Sequence, residues 1–268
     1  MKRAQKPWTL GSSLNNLEDS TKNEIFSETS IPRGTGFFIR LDGWKFRKLS
    51  EVIGAEKPFD ERFAKCLVQS GKVLFEKGFN PTLIYTVSDE LNILFMKGMP
   101  FHGRVEKIDS VIPSLVSAAF TSHLQSLFNK KATAAFDSRI VIMPDENTVV
   151  KYLAWRQINA WRNHNNAYAY WLFRKMGCKP HEITKKLKGM KTKEIHETLF
   201  RHGINLAKTP QWQRRGILLY KEPVAKRLIG QEAIRWKVKD EWNLPLFTRE
   251  EGAKLIKKVL EWMKQKGS

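Results

Sequence analysis

Residues 36–46 read GFFIRLDGWKF, and this stretch guides the interpretation of the rest of the chain. The apolar run 37–39 follows a glycine and leads into Asp42 and Gly43, a pattern typical of a buried strand that ends at an Asp-Gly pair. A carboxylate at the end of a buried strand is costly unless another group offsets its charge. Asp42 is therefore a candidate functional residue.

A second stretch, residues 83–95, reads LIYTVSDELNILF and has the same character. Two apolar runs flank Ser88, Asp89 and Glu90, which predicts a β-hairpin with an acidic turn. If the hairpin pairs with the first strand, Asp42 and Asp89 face each other, and Mg²⁺ between them would relieve their repulsion. The alternative is that both aspartates are ordinary turn residues. Glu90 is a further candidate, although strand alternation directs it to the face opposite Asp89.

The order of the predicted elements indicates the fold class. We expect a strand at 36–41, a loop rich in Lys and Arg at 44–57, a helix at 60–77, strands at 83–87 and 91–96, a helix at 107–129 interrupted by Pro113, and a strand at 133–143. This βαββαβ order predicts an α+β, ferredoxin-like domain with a four-stranded sheet and two helices on one face. Because that fold hosts many functions, the function must be inferred from the residues of the site and not from the fold.

The remaining segments define three parts of the chain. Residues 1–35 are polar and predict an N-terminal arm, with a short helix near 14–26, and residues 36–146 form the catalytic part. Residues 147–268 predict a mainly helical part. It contains a long helix at 147–176, two short helices at 179–200, a strand at 215–220 that returns to the sheet, and a capped helix at 248–266.

The charge of the chain is distributed unevenly. Residues 1–150 carry 20 Lys and Arg against 17 Asp and Glu, and residues 151–268 carry 27 against 10, so the net charges are +3 and +17. A strongly basic half suits a polyanion such as nucleic acid; the alternative is a solvated basic surface. No run of 18 apolar residues and no signal peptide is present, so we expect a cytoplasmic protein that does not insert into membranes.

Two sets of residues could bind phosphates or bases. The backbone amides of 43–47, Ser88, Arg40, Arg104 and Lys107 could hold a triphosphate, and the alternative for Arg104 and Lys107 is an ordinary solvated helix start. Residues 155–171, WRQINAWRNHNNAYAYW, interleave aromatics, arginines and amides, a composition that can hold phosphates and stack on bases. The alternative for this segment is a core aromatic stripe with a structural role for His164.

Six motifs in a fixed order resemble the tRNA(His) guanylyltransferase family and its Thg1-like proteins. They are FFIRLDGWKF, YTVSDELNILF, GRVEK, FDSRIVIMP, WRQ and GINL, and the resemblance runs from about residue 36 to about residue 220. The resemblance implies a palm domain similar to that of polymerases, which adds nucleotides to the 5′ end of tRNA in the 3′-to-5′ direction. A 5′-monophosphate end is activated with ATP and then attacked by the 3′-hydroxyl of the incoming nucleotide, whereas a 5′-triphosphate end can skip the activation.

The resemblance also implies roles for individual residues. Two Mg²⁺ ions would be held by Asp42, the Gly43 carbonyl and Asp89, with Glu90 as a further catalytic residue. ATP and GTP are the expected nucleotide substrates, with contacts from Arg40, Gly43, Trp44, Lys45, Phe46, Arg47, Ser88, Arg104 and Lys107. Contacts to tRNA are expected from Arg139, Arg156, Arg162, Asn163, His164, Arg214 and Arg215.

The sequence departs from the eukaryotic members of this family in the long helix. Those enzymes carry HINNLYN, whereas residues 161–167 here read WRNHNNA, and a downstream basic position is Ile195. Both changes resemble the archaeal-type and bacterial branch, which repairs 5′ ends by copying the opposite strand. Template-directed repair is therefore the leading hypothesis. Addition of a single G to tRNA(His) and a non-catalytic tRNA-binding protein are the alternatives, and we expect a homodimer or homotetramer.

Overall fold

The computed structural model describes residues 24–228 and 231–265, with side chains described outside 226–233. One antiparallel sheet of six strands organises these residues, in the order β4-β1-β3-β2-β5-β6. The first four positions, β4-β1-β3-β2, are the predicted ferredoxin-like sheet. The strands are β1 Gly36–Gly43, β2 Leu83–Val87, β3 Glu90–Phe95, β4 Phe136–Met143, β5 Ile217–Leu228 and β6 Gln231–Glu241.

Two helices cover one face of the palm sheet. They are α2 (Glu61–Glu76) and α3 (Val105–Phe128). Alternate residues of β1, namely Phe37, Ile39 and Leu41, are fully buried in the core beneath them. The Asp60 carboxylate caps α2 by accepting a hydrogen bond of 2.8 Å from the Arg62 amide, so both predicted helices are confirmed.

Helix α3 runs through Pro113 without interruption, which corrects the predicted break. A proline at 113 has no N–H to donate to the Asp109 carbonyl one turn earlier. The hydroxyl of Ser138 on β4 instead lies 3.2 Å from that carbonyl oxygen and 2.8 Å from the Asp109 carboxylate. This contact compensates the missing hydrogen bond and joins α3 to β4.

The opposite face of the sheet carries the C-terminal helices. Helix α4 (Glu146–Lys175) packs there with α8 (Glu250–Gln265), and the core between them includes Phe38, Leu94 and Leu153. The far half of α4 forms a separate apolar cluster with α5 (Pro180–Gly189) and α6 (Thr192–Arg201), centred on Phe173 and Leu199. The predicted helices of this part are confirmed. No helix in the described part of the chain is long and apolar enough to cross a membrane.

Three segments differ from the sequence-based expectation. The expected loop at 44–57 contains a short helix, α1 (Phe46–Val52). A further short helix, α7 (Gln211–Arg215), precedes β5, which is longer than predicted and pairs with β6, a strand that the sequence analysis missed. In the arm, Ser30 pairs with Arg104 and Ile31 is buried, while most of the predicted helix near 14–26 falls outside the described residues.

Candidate active site

Asp42 and Asp89 come together at the end of the palm sheet. Asp42 is the penultimate residue of β1, and Asp89 lies in the turn between β2 and β3. The Gly43 amide donates a hydrogen bond of 3.0 Å to the Asp89 carbonyl, and the Trp44 amide donates one of 2.9 Å to Ala135. These two bonds fix the end of β1 between the β2–β3 turn and β4, so the predicted facing of the two aspartates is confirmed.

The surroundings of Asp89 disfavour the ionised form of its carboxyl. Burial raises the pKa of the Asp89 carboxyl, and the nearby charge of Asp42 raises it further, against a lowering hydrogen bond from Ser88. Both effects disfavour the ionised form, and a divalent cation between the carboxylates would reverse them. The donor set therefore fits a hard cation such as Mg²⁺.

The remaining ligands of such a cation would come from other sources. No group of three or more His, Cys, Asp and Glu side chains suited to a metal ion occurs within residues 24–228 and 231–265. A site here would rest on two carboxylates and draw backbone oxygens, water and phosphate oxygens into its other positions. The role of the Gly43 carbonyl as one of those ligands stays a prediction.

Gly43 also shapes the chain that leaves the site. A Cβ atom at this position would lie 2.3 Å from the ring of Phe46. Phe46 is buried against Phe63, Phe120 and Phe136, so its ring has little room to move. Glycine at 43 thus lets β1 turn directly into α1 beside Asp42, and the conformation of that turn follows from the packing of Phe46.

Glu90 is part of an internal ion pair. It lies opposite Asp42 in the β1–β3 register, and its two carboxylate oxygens accept hydrogen bonds from Nε and Nη2 of Arg156 on α4. Asn92 donates a further bond of 2.7 Å to Glu90 and accepts one of 2.7 Å from the Tyr152 hydroxyl. The Arg156 side chain is only 13% exposed, and its predicted contact with RNA stays a prediction. The catalytic role of Glu90 stays a prediction.

A cleft of about 620 Å³ opens in front of the two aspartates. It lies between the palm, represented by α1, α2 and the β2–β3 turn, and the C-terminal helices α4 and α7. Nine residues singled out from the sequence line it: Asp42, Phe46, Arg47, Ser88, Asp89, Glu90, Arg156, Asn163 and His164. The cleft thus brings acidic, basic and amide side chains from distant parts of the chain to one place.

The walls of the cleft combine cations with aromatic rings. Arg47 Nη2 donates a hydrogen bond of 2.8 Å to the Tyr170 hydroxyl across the opening. Lys57 donates to Ser50 and lies 5.7 Å from the ring centre of Trp171; burial lowers its pKa. Lys57 was missed by sequence reasoning, because it lies in a loop without periodicity. An anionic ligand with a planar ring matches this lining.

His164 reaches the cleft but is not available to a ligand. Its ring is fully buried, with Nδ1 3.1 Å from Asn165 Oδ1 and Nε2 3.0 Å from Thr209 Oγ1. Burial lowers its pKa to about 4, so the ring is neutral at pH 7. A neutral ring with both nitrogens engaged offers RNA no charge, and the predicted RNA contact of His164 stays a prediction.

Several predicted residues lie outside the cleft. Arg104 begins α3, where its backbone pairs with Ser30 and its side chain lies 3.7 Å from Glu106. Arg215 donates a hydrogen bond of 2.8 Å to the Leu244 carbonyl, which is a structural contact. The other residues that do not line the cleft are Arg40, Gly43, Trp44, Lys45, Lys107, Arg139, Arg162 and Arg214. Their predicted contacts with nucleotide or RNA stay predictions.

Arg40, Arg139 and Asp137 form a second polar group beside Asp42. Arg139 and Asp137 lie opposite Arg40 and Asp42 in the β1–β4 register, so all four side chains share the face that carries α4. Among the described residues, Arg40 Nε has no hydrogen-bond partner. Asp137 was missed from the sequence although it stands in the quoted FDSRIVIMP motif, because the motif did not reveal its register with Asp42.

Comparison with known proteins identifies close similarity over most of the chain. The family model of tRNAHis guanylyltransferase matches residues 19–144, and the model of the C-terminal domain of the same family matches residues 147–259. A tRNA(His) guanylyltransferase of Candida glabrata is 32% identical over 194 residues, which cover 68% of this chain and 80% of that protein. A probable tRNA(His) guanylyltransferase of Drosophila melanogaster is 30% identical over 211 residues, covering 77% and 73%.

A solved structure shares the fold. It is a bacterial tRNA(His) guanylyltransferase-like protein in complex with ATP, which superimposes with a TM-score of 0.70 at 26% identity. The match covers 86% of this chain and 92% of that one, so it includes both the palm and the C-terminal helices.

Proposed function

Because the chain belongs to the tRNAHis guanylyltransferase family of nucleotidyltransferases, we propose that it adds nucleotides to the 5′ end of tRNA, in the 3′-to-5′ direction, by copying the opposite strand. The observation that carries the proposal is the pair Asp42 and Asp89 at the mouth of a cleft with cationic and aromatic walls. ATP and GTP are the proposed nucleotides; the bacterial relative was solved with ATP.

The proposed chemistry has two in-line displacements. An oxygen of the tRNA 5′-monophosphate attacks the α-phosphorus of ATP, and pyrophosphate leaves. The 3′-hydroxyl of the incoming nucleoside triphosphate then attacks the activated 5′-phosphorus, and AMP leaves. When bound, divalent cations supply positive charge that stabilises the attacking and leaving oxygens.

The residues of the chain contribute orientation and charge. Asp42 and Asp89 would hold the divalent cations, and the hydrogen bond from the Gly43 amide to the Asp89 carbonyl keeps the two residues together at the end of the sheet. Arg47 and Lys57 face the cleft and offset phosphate charge. The aromatic wall at Tyr170 and Trp171 excludes water from one side of the nucleotide.

Two observations bear on the choice between repair and addition of a single G, and they favour different candidates. The residues WRNHNNA at 161–167 differ from the eukaryotic HINNLYN motif, which favours repair. The curated relatives named above are tRNA(His) guanylyltransferases of eukaryotes, which favours the addition of one G to tRNA(His) as the second candidate.

Extension of tRNAs that lack the first 5′ nucleotide tests the two candidates. Purified protein is incubated with Mg²⁺, ATP and each labelled nucleoside triphosphate, using tRNA(His), two other tRNAs, and versions in which the nucleotide opposite the missing one is changed. Under repair, every tRNA is extended and the added nucleotide is complementary to the changed base. Extension of tRNA(His) alone, always with G, contradicts repair and supports the second candidate. No extension of any tRNA contradicts both.

A further inference from the structure

One face of α4 points into solvent although it is partly apolar. Lys151, Trp155, Ile158, Arg162 and Asn166 follow one another at intervals of three or four residues, so they form one line along the helix. All five are exposed, with Trp155 at 50% and Ile158 at 47%. We call these five residues the α4 stripe.

Trp155 is held in place while half of its surface stays exposed. The Arg156 guanidinium lies 4.8 Å from the centre of the Trp155 ring, and the Tyr152 ring is 6.0 Å away. Arg156 is itself fixed by its ion pair with Glu90. A large aromatic ring that is both exposed and fixed is a preorganised stacking surface, because little side-chain entropy is lost when a ligand covers it.

The charge around the α4 stripe matches a polyanion. Residues 147–181 contain no Asp or Glu. Of their cations, Lys151 and Arg162 belong to the stripe, whereas the charge of Arg156 is paired with Glu90. In a twofold contact between copies, the same surface would meet itself, and Lys151 and Arg162 would face like charges. Exposed aromatics between cations are instead the arrangement that binds single-stranded nucleic acid, where rings stack on bases and cations contact phosphates.

The position of the α4 stripe indicates which nucleotides it meets. The Trp155 ring lies against Arg156, whose partner Glu90 lies opposite Asp42 in the sheet, so this ring is two contacts away from the candidate active site. The cleft itself is lined by another face of α4, which includes Arg156, Ala160 and Asn163. The 3′ strand of the acceptor stem lies beside the 5′ end, and its nucleotides are unpaired where 5′ nucleotides are missing. From Lys151 to Arg162 the helix rises about 16 Å, the length of a few stacked nucleotides.

We propose that the α4 stripe binds the unpaired nucleotides of the 3′ strand, with Trp155 stacked on a base and Lys151 and Arg162 on the flanking phosphates. The inference rests on the proposed function, since it takes the 5′ end of tRNA as the substrate. It adds a contact to the template strand on the outer face of α4.

Binding of two labelled RNA hairpins tests the inference. One hairpin ends in four unpaired 3′ nucleotides and the other is blunt; their dissociation constants are measured by fluorescence anisotropy. Trp155→Ala weakens binding of the overhang hairpin by about 5- to 100-fold, the range for one lost base stack, and leaves the blunt hairpin within about twofold. Trp155→Phe retains most of the affinity because it keeps a ring. Met176→Ala, exposed at the far end of the same helix, changes neither constant.

Three outcomes overturn the proposal. The first is that Trp155→Ala binds the overhang hairpin as tightly as the wild type does, and the second is that it loses equal affinity for both hairpins. The third is that Trp155→Ala changes the sedimentation mass of the protein without changing RNA binding, which would assign the stripe to a contact between copies. Extension of truncated tRNA by the wild-type protein is measured in parallel. If the wild type extends truncated tRNA and Trp155→Ala keeps its affinity for the overhang hairpin, only the role of the α4 stripe is contradicted. If the wild type extends no tRNA, the proposed function is contradicted.

Discussion

At the scale of single residues, Asp89 is a carboxylate that the fold disfavours in its ionised form. Burial and Asp42 raise its pKa above that of the unfolded chain. For a raised pKa, the contribution to stability is fully present below the unfolded pKa of about 4 and is lost as the pH rises through the folded pKa. At pH 7 without divalent cations, Asp89 therefore lowers the free energy of unfolding of the wild-type protein.

Asp89→Asn should remove that contribution. In the presence of EDTA at pH 7, we expect the variant to unfold at a temperature at least about 2 °C higher than the wild type. Addition of Mg²⁺ should raise the unfolding temperature of the wild type and leave that of the variant nearly unchanged. Thermal unfolding followed by circular dichroism measures both effects. A variant that melts below the wild type in EDTA would refute this account of the site.

The Arg156–Glu90 pair gives a second prediction for individual residues. Arg156→Met leaves the Glu90 carboxylate buried without its partner, and we expect a loss of about 3 kcal/mol in the free energy of unfolding. The double variant Arg156→Met with Glu90→Gln should recover more than half of that loss, because no unpaired charge remains. Denaturant titration measures the three free energies. If the double variant is no more stable than Arg156→Met, the pair is not a coupled unit.

At the scale of secondary-structure elements, Gly216 determines how β5 joins the sheet. It has φ +78°, and a Cβ atom there would lie 2.7 Å from the Thr86 carbonyl oxygen and 2.5 Å from the Tyr85 ring. Gly177 at the end of α4 has φ +87° and open space around its Cβ position. Both glycines have a positive φ. Gly216 combines it with ψ −170°, a conformation that is essentially restricted to glycine, and neighbouring atoms also approach it closely.

Alanine at the two positions should separate these effects. Gly177→Ala should cost about 1 kcal/mol of unfolding free energy, the price of a left-handed alanine. Gly216→Ala should cost at least about 2 kcal/mol more, because β5 must move away from β2 and because the backbone conformation at 216 is essentially restricted to glycine. Denaturant midpoints compare the two variants. Equal losses would show that β5 does not approach β2 as closely as described.

The secondary-structure elements also show which parts of the fold could be predicted from the sequence. The strands β1, β2 and β3 are mainly apolar runs with sharp polar ends, so their positions and the facing of Asp42 and Asp89 were predictable. Strand β6 reads QEAIRWKVKDE and escaped prediction, because an edge strand of a ribbon buries few residues and keeps many charges. Helix α1 escaped because it has only seven residues and forms through the packing of Phe46.

The site was predictable in part for the same physical reason. Motif order identified Asp42, Asp89, Ser88 and Arg47, which line one cleft. The pairing of Arg156 with Glu90 and the burial of His164 depend on how α4 crosses the sheet, and residue spacing within one helix carries no information on that crossing. Lys57 and Asp137 join the site through tertiary contacts alone.

At the scale of the whole molecule, the charge of +20 should dominate the affinity for tRNA. Each phosphate neutralised by Lys or Arg releases counterions, so the logarithm of the binding constant falls with the logarithm of salt concentration by roughly 0.7 to 0.9 per contact. We expect a slope steeper than about −3 between roughly 50 and 300 mM salt. A slope shallower than about −1 in filter-binding measurements would contradict the claim that electrostatic attraction dominates tRNA binding.

The central claim is that the palm carries out the chemistry while the basic C-terminal part binds RNA. One measurement tests this claim most directly. Addition of labelled nucleotide to a 5′-truncated tRNA is compared with tRNA affinity for the wild type and for Asp42→Asn. The account predicts that the variant loses at least about a thousandfold in rate while its dissociation constant for tRNA stays within about threefold. Nucleotide addition at the wild-type rate by Asp42→Asn, or a loss of tRNA binding in step with activity, would contradict it.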